Sequence, residues 1–356
     1  MKILHIGEYV SGGIATYLKE LLKFQSKENN VYLVCSDYNS EQIQLNNVSV
    51  IRYENYKRSL KDGISYTLFL QKVIKNVKPD IIHIHSSFAG MFARLPLLIL
   101  RKKYKVIYCA HGWSFSQNVS KFKKHIYALI EKTLVLRTDL IINISDYEQE
   151  LALKYRISNK KMQTIYNGVR LPKYTKNFEP IDLSIVPNQI NLLYLGRFDY
   201  AKGIDLVLEA LKEDKNNVKL YLIGSSVLDD LNIDAFMKNN SSIHLIGWVD
   251  NDLIDNYYKI FDAIVIPSRW EGFGLVAIEA MRNKKAVICS NVGGLKEIVD
   301  DSVTGYKFDT LEELKEIIRN LDKTTLDKMG LQGYKKYIEN YTVADMNKRV
   351  TDSYYN

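Results

Sequence analysis

The chain is poor in several features, and each shortage closes off a class of protein. No apolar run approaches the roughly 20 residues that a membrane-spanning helix needs. The longest beyond the amino terminus, Met91–Leu100, is broken by Arg94 and Pro96, so no transmembrane segment is expected. The opening Met1-Lys2-Ile3-Leu4-His5-Ile6-Gly7 has only a short apolar run and no small-residue cleavage pattern behind it, which argues against a secretory signal. Cysteine is scarce: Cys35, Cys109 and Cys289 are odd in number, scattered and set in apolar runs. That excludes a disulfide framework, offers no metal spacing, and points to reduced, buried thiols in a cytoplasmic chain. Proline is scarce too, with six in all, and Pro172, Pro180 and Pro187 gather in one passage. No D-x-D metal triad stands in a suitable loop, so no metal or cofactor is expected.

What is present fits two α/β domains. With 356 residues, 46% hydrophobic and 25% charged, the chain has the length for two cores and the make-up of a globular protein throughout. Short β-branched runs alternate with helix-length segments over residues 1–170, at Lys2–Ile6, Val31–Cys35, Val48–Ile51, Ile81–His85, Val106–Cys109, Leu140–Ile144 and Met162–Ile165. Helices are expected around Ile14–Phe24, Leu60–Val77, Phe88–Lys102 and Phe122–Arg137. This is the alternation of a parallel sheet under two helix layers. The proline-containing passage 171–188 is expected to be an interdomain linker. A second series restarts at Ile190–Leu195 and continues through Val218–Ile223, Ile243–Leu245, Ala263–Ile266 and Ala286–Ser290, giving a second domain over 189–340. The last segment, 341–356, reads as a helix that packs back on the first domain. Charge divides unevenly: 26 basic against 13 acidic residues in 1–170, but 23 against 28 in 171–356.

Open parallel sheets bind ligands beyond the carboxyl ends of their strands, so the loops there are where chemistry is expected. After Ile6, Gly12 and Gly13 precede a helix whose free N–H groups favour a phosphate. After Leu195, Gly196-Arg197-Phe198-Asp199-Tyr200-Ala201-Lys202-Gly203 sets two cations astride a strand-to-helix loop, suited to neutralising a diphosphate. After Ile266 comes Pro267-Ser268-Arg269-Trp270-Glu271-Gly272-Phe273-Gly274-Leu275-Val276-Ala277-Ile278-Glu279. Glu271 lies in the loop, where its oxygens can accept bonds from sugar hydroxyls. Glu279 lies a turn into a helix among Ala277, Ile278, Ala280 and Met281, an unusual place for a carboxylate. It is suited to gripping ribose hydroxyls, with the amides near Gly274, Leu275 and Val276 meeting phosphates.

Glu271 and Glu279, separated by seven residues in the form E-G-F-G-L-x-x-x-E-A-M, resemble the signature of the retaining family 4 glycosyltransferases. The G-R-x-x-x-x-K-G string at Gly196–Gly203, the pair Gly12-Gly13, His111-Gly112 and Asn167-Gly168-Val169 resemble that family's other motifs, in order and across essentially the whole chain. The resemblance implies the GT-B fold, two Rossmann-like domains facing each other across a cleft. It implies transfer of a sugar, with retention and without metal, from a nucleotide diphosphate sugar, with uridine the expected base. Glu271 and the loop Gly272, Phe273 and Gly274 would meet the donor sugar, Glu279 the ribose, and Arg197 with Lys202 the diphosphate. The backbones of Gly13 and of Gly274–Val276 would help with the phosphates. His111 would face the sugar, and Gly247, Trp248 and Val249 would lie beside the base. Relatives often carry a glycine and a proline where this chain has Ser225-Ser226.

The acceptor is less legible. His83 and His85 alternate on one strand and so share a face, reading as a buried pair rather than metal ligands. His85 and Ser86 at the strand end are weak acceptor candidates, while His5, His125 and His244 carry no constellation. An apolar Phe92–Leu100 followed by Arg101, Lys102, Lys103 and Lys105, with Lys121, Lys123 and Lys124 beyond, suggests attachment to the inner face of an anionic membrane. A nucleic-acid partner is not expected, since no reading module accompanies the charge. The expected acceptor is a glycan or lipid-linked saccharide of a bacterial surface polysaccharide. The rivals are a nucleotide-sugar epimerase of the same architecture and a non-catalytic nucleotide-sugar-binding protein.

Overall fold

The computed structural model describes every residue except 55–59, 101, 177, 179, 181–184, 186–187, 213–217, 226–239 and 356. Ser226 and Arg101 therefore lie outside the described residues. The chain forms two compact units, Met1–Gly168 with Val343–Asn356 (unit 1), and Val169–Thr342 (unit 2). Described residues of the passage expected as the linker bond to unit 2. The amides of Lys173 and Thr175 donate to Asp255 Oδ2 (2.8 Å) and Asn256 Oδ1 (3.0 Å), and the Tyr174 hydroxyl donates to Asn283 Oδ1 (3.0 Å).

Unit 1 is a parallel sheet of β1 (Lys2–Ile6), β2 (Asn30–Ser36), β3 (Val48–Tyr53), β4 (Ile81–His85), β5 (Lys105–Cys109), β6 (Leu140–Asn143) and β7 (Met162–Thr164), in the order β3-β2-β1-β4-β5-β6-β7. Unit 2 is a parallel sheet of β8 (Ile190–Leu195), β9 (Val218–Ile223), β10 (Ile243–Gly247), β11 (Ala263–Ile266), β12 (Ala286–Ser290) and β13 (Gly305–Phe308), in the order β10-β9-β8-β11-β12-β13. Every residue of β4 and of β12 is buried, as strands covered on both faces must be. In each sheet the strand order reverses once, between β1 and β4 and between β8 and β11. The connections on either side of such a point leave opposite faces, opening a crevice at the strands' carboxyl ends.

Helix Gly13–Gln25 buries Ala15, Leu18, Leu21, Leu22 and Gln25, an inward stripe at helical spacing that ends on an amide. The helix expected over Phe88–Lys102 is shorter. It runs Ser87–Arg94 and gives way to a 3₁₀ turn at Leu95–Leu98, because Pro96 cannot continue the hydrogen-bond ladder. Arg94 closes that helix inside the core. Its guanidinium lies 2.6 Å from Glu131 and stacks 3.6 Å over the Tyr108 ring. The terminal helix Val343–Asp352 lies on helix Gly13–Gln25, with Asn347 Nδ2 donating to Glu20 O at 3.4 Å. Cys35, Cys109 and Cys289 are free and buried. No described helix is long and apolar enough to cross a membrane.

Candidate active site

In unit 2 the loops after β8 and β11 flank the reversal point, and a glycine presses them together. Gly203 adopts φ +64°, and a Cβ there would fall 1.9 Å from Pro267 O. Only glycine permits that approach. The contact brings Lys202 Nζ to 2.7 Å from Glu271 Oε2, joining residues 69 apart in sequence. Asp199 binds both ends of its own loop: Oδ1 accepts from the Lys202 amide at 2.9 Å, and Oδ2 lies 3.0 Å from Arg197. The Arg197 side chain is 59% exposed, so its fork remains available to a further anion.

Two features that sequence reading passed over hold the Glu271 loop. Arg269 is bidentate to Asp205 at 2.7 and 2.6 Å and stacks 3.9 Å over Tyr200, tying the loop to the first helical turn after β8. This pairing holds the Asp205 carboxyl below the usual carboxylate range. Behind Glu271, Gly293 adopts φ +52° and would place a Cβ 1.7 Å from Glu271 O, while the Gly294 amide donates to that oxygen at 3.3 Å. The visible signal was Val292-Gly293-Gly294 directly after an apolar strand.

Helix Leu275–Arg282 starts at Gly274, φ +114°. Its first intrahelical bonds are made by the Ala277 and Ile278 amides to Gly274 O, leaving those of Leu275 and Val276 ahead of the ladder. Glu279 is partly buried one turn in, where the Tyr258 hydroxyl donates to Oε2 at 3.3 Å. Burial pushes its carboxyl above the usual range, with Arg282 working in the opposite direction. Arg282 itself is paired with buried Asp255 at 2.6 Å. The structure thus brings Lys202, Glu271, Arg197 and Asp199 into one cluster, with Glu279 separately placed on the following helix. Gly247 (φ +87°) ends β10, Val249 is buried, and Trp248 is 76% exposed.

In unit 1, Gly12 takes φ +57° with nothing within 4 Å of a Cβ position, and its amide donates to Glu41 Oε1 at 2.9 Å. Gly13 opens the helix. Two non-glycine residues at the strand ends carry positive φ, Ser86 after β4 (77°) and His111 after β5 (50°). Both are expected site residues, and both hold strained backbone. His85 is not available to an acceptor, however. It is fully buried and both ring nitrogens are occupied, Nε2 by His5 and Nδ1 by His111, each at 3.0 Å. His83 does share its face, with ring centroids 4.2 Å apart. His5, given no constellation by sequence, is the third member of this group because β1 pairs His5 directly with His83.

Similarity to known proteins agrees with this geometry. Residues 11–172 match the family model for Glycosyltransferase Family 4, and residues 175–341 that for Glycosyl transferases group 1. The chain is 35% identical to an uncharacterized 41.2 kDa protein in the cps region of Klebsiella pneumoniae, over 92% of this chain and 90% of that one. It is 26% identical to an Escherichia coli UDP-Gal:alpha-D-GlcNAc-diphosphoundecaprenol alpha-1,3-galactosyltransferase, over 99% and 96% of the two chains. Among solved structures, Anabaena HepE in complex with UDP superposes with a TM-score of 0.80 at 17% identity, covering 99% of both chains. Two parallel α/β units of the GT-B type, with matching family motifs in each, make this chain a member of the family 4, group 1 glycosyltransferases.

Proposed function

We propose that the protein transfers a sugar, with retention of configuration and without metal, from a UDP-sugar to a glycan or lipid-linked saccharide, in building a bacterial surface polysaccharide. The observation that carries the reading is the pairing of Lys202 with Glu271 at 2.7 Å, where the strand order of unit 2 reverses. A diphosphate arriving there competes for the lysine. Lys202 and exposed Arg197 neutralise it, and Glu271 is released to accept hydrogen bonds from sugar hydroxyls. The Leu275 and Val276 amides add the dipole of a helix N-terminus. Glu279 takes the ribose, and Gly247, Trp248 and Val249 border the base. These cations stabilise the leaving diphosphate electrostatically, in the role a metal fills elsewhere. His111 is the unit 1 residue assigned to the sugar, and Gly12 and Gly13 the backbone assigned to the phosphates. The uridine and the acceptor class rest on the names of the Escherichia coli and Anabaena relatives.

The test is product formation from a panel of UDP-sugars with and without polyprenyl-diphosphate saccharides. Conversion that requires the acceptor and releases UDP supports transfer. Isomerisation of the donor alone would identify an epimerase, and binding without turnover a non-catalytic protein. The inner membrane face is the proposed location. Phe122 (75% exposed) and Leu129 (65%) lie on the same side of helix Lys121–Leu134, among exposed Lys121, Lys123 and Lys132. Co-sedimentation with anionic vesicles at low salt checks this, with Phe122→Asp expected to release the protein. Wild type remaining in the supernatant overturns the location.

A further inference from the structure

Histidines of unit 1 form a hydrogen-bonded chain along the carboxyl edge of β1, β4 and β5. Gln25 Oε1 lies 2.8 Å from His5 Nε2, His5 Nδ1 lies 3.0 Å from His85 Nε2, and His85 Nδ1 lies 3.0 Å from His111 Nε2. His5 and His85 are fully buried, and His111 is the partly exposed end. His83 stands beside them, its Nδ1 2.7 Å from the Tyr354 hydroxyl.

A neutral imidazole has one N–H and one lone pair, so each link dictates the next. The rings are neutral because burial disfavours the cation, holding His5 near 4 and His111 near 3, with His85 also depressed well below its ordinary value. Gln25 Oε1 can only accept. His5 must then donate through Nε2–H and accept at Nδ1. His85 in turn donates through Nε2–H and accepts at Nδ1. His111 donates through Nε2–H and keeps its lone pair on Nδ1, which has no partner among the described residues. The amide itself is oriented from its other end, where Gln25 Nε2 donates to Thr351 Oγ1 at 3.4 Å. Gln25 occupies the inward stripe of its helix, next to Leu21 and Leu22. An apolar side chain would satisfy packing there, but it would set no polarity.

We propose that Gln25 is a positioning residue: it fixes the polarity of the histidine chain so that His111 presents an Nδ1 lone pair to accept a hydrogen bond from a sugar hydroxyl. The inference rests on the assignment of His111 to the sugar, and its test separates the two. In ¹⁵N-histidine-labelled full-length protein, long-range ¹H–¹⁵N spectra are expected to show His5, His85 and His111 as neutral Nε2–H tautomers. Gln25→Leu removes the acceptor, so the same two ring–ring bonds re-form in the opposite sense and His111 becomes the Nδ1–H tautomer. Transfer is expected to fall about tenfold, the loss of one hydrogen bond to substrate. In a His111→Asn background, whose Oδ1 accepts whatever Gln25 does, Gln25→Leu should have no further effect, giving a double-mutant coupling of about tenfold. Circular dichroism of each variant separates tautomer change from loss of fold.

Nδ1–H on His111 of the wild type overturns the proposal. So does an unchanged tautomer in Gln25→Leu. Stoichiometric zinc retained after dialysis overturns it as well, because His5, His83 and His85 offer nitrogens within 4.8 Å of one another and a metal would take those that carry the chain. If the tautomers behave as expected but His111→Asn and Gln25→Leu both transfer at the wild-type rate, the assignment of His111 to the sugar is what fails.

Discussion

The two units place polar groups at the same point of the same kind of sheet by opposite means. Unit 2 uses charges in pairs: Lys202 with Glu271, Arg269 with Asp205 and Arg282 with Asp255, the first two partly exposed. Unit 1 uses neutral rings, fully buried but for His111, and their partners outside the group are Gln25, on His5, and Tyr354, on His83. An exposed ion pair in water contributes little to stability and exchanges partners readily, which suits a loop proposed to receive a phosphate. A buried neutral network commits its atoms to one geometry, and it fails as a whole when one ring takes up a proton.

Acid should therefore separate the units, and this is the largest effect expected. His5, His83, His85 and His111 are depressed in the folded state, so below about 6.5 the unfolded chain binds protons that the fold refuses. Stability is therefore lost as pH falls below that value, for His5 down to about 4 and for His111 down to about 3, with a limiting slope of roughly 1.4 kcal/mol per pH unit for each proton withheld, and His83 and His85 act in the same direction. In unit 2 only His244 adds to this, and Asp205, whose carboxyl is lowered, keeps its contribution until pH falls below the ordinary carboxylate range. Hydrogen exchange across this range should show β1, β4 and β5 losing protection before β8, β11 and β12. Simultaneous loss would break the contrast.

Core ion pairs sharpen it next. Arg94→Met leaves Glu131 charged and buried, at a cost of about 3–5 kcal/mol in denaturant unfolding, and adding Glu131→Gln should recover most of that. Arg282→Met in unit 2 should fall at the lower end, because Asp255 keeps hydrogen bonds from Asn283 and from the Lys173 amide. Lys202→Ala follows in size. Its pair with Glu271 is partly exposed, so the melting temperature should hardly move while kcat/KM falls about 10²–10³-fold, as for the loss of one stabilising group at a developing anion. Unchanged turnover would remove Lys202 from the donor site.

The same contrast explains what was legible. Unit 2's candidate site reads from sequence because Arg197, Lys202 and Glu271 sit on short loops directly after apolar strands and Glu279 one turn into the helix that follows. Strand positions follow from β-branched runs for the same reason. β13 escaped notice because Gly305-Tyr306-Lys307-Phe308 is four residues long and glycine-led. Gly305 is there because a Cβ would meet Val287 O at 1.9 Å, a contact no local pattern reveals. Gln25, His5 and Tyr354 were invisible as a group because their meeting depends on strand register and on the docking of the last helix. Arg269 was read past because its partner, Asp205, lies 64 residues earlier.

Glu279 is the one charge of the unit 2 candidates that resembles unit 1 in being chiefly a burial problem. Its carboxyl is raised, so its ionised form is disfavoured by the fold, and the protein gains stability from it only as pH falls through the raised value. Glu279→Gln keeps an acceptor for the Tyr258 hydroxyl and removes the charge. The variant should be more stable than wild type by about 0.5–1 kcal/mol near pH 8. The gap should close at a second pH, below the raised value, where the wild-type carboxyl carries a proton. Donor KM should rise about tenfold with kcat nearly unchanged, the pattern of a lost ground-state hydrogen bond. Urea midpoints at the two pH values and initial rates against donor concentration measure both halves. If Glu279→Gln is instead less stable near pH 8, the carboxylate is serving the fold, and its burial ceases to argue for a ribose.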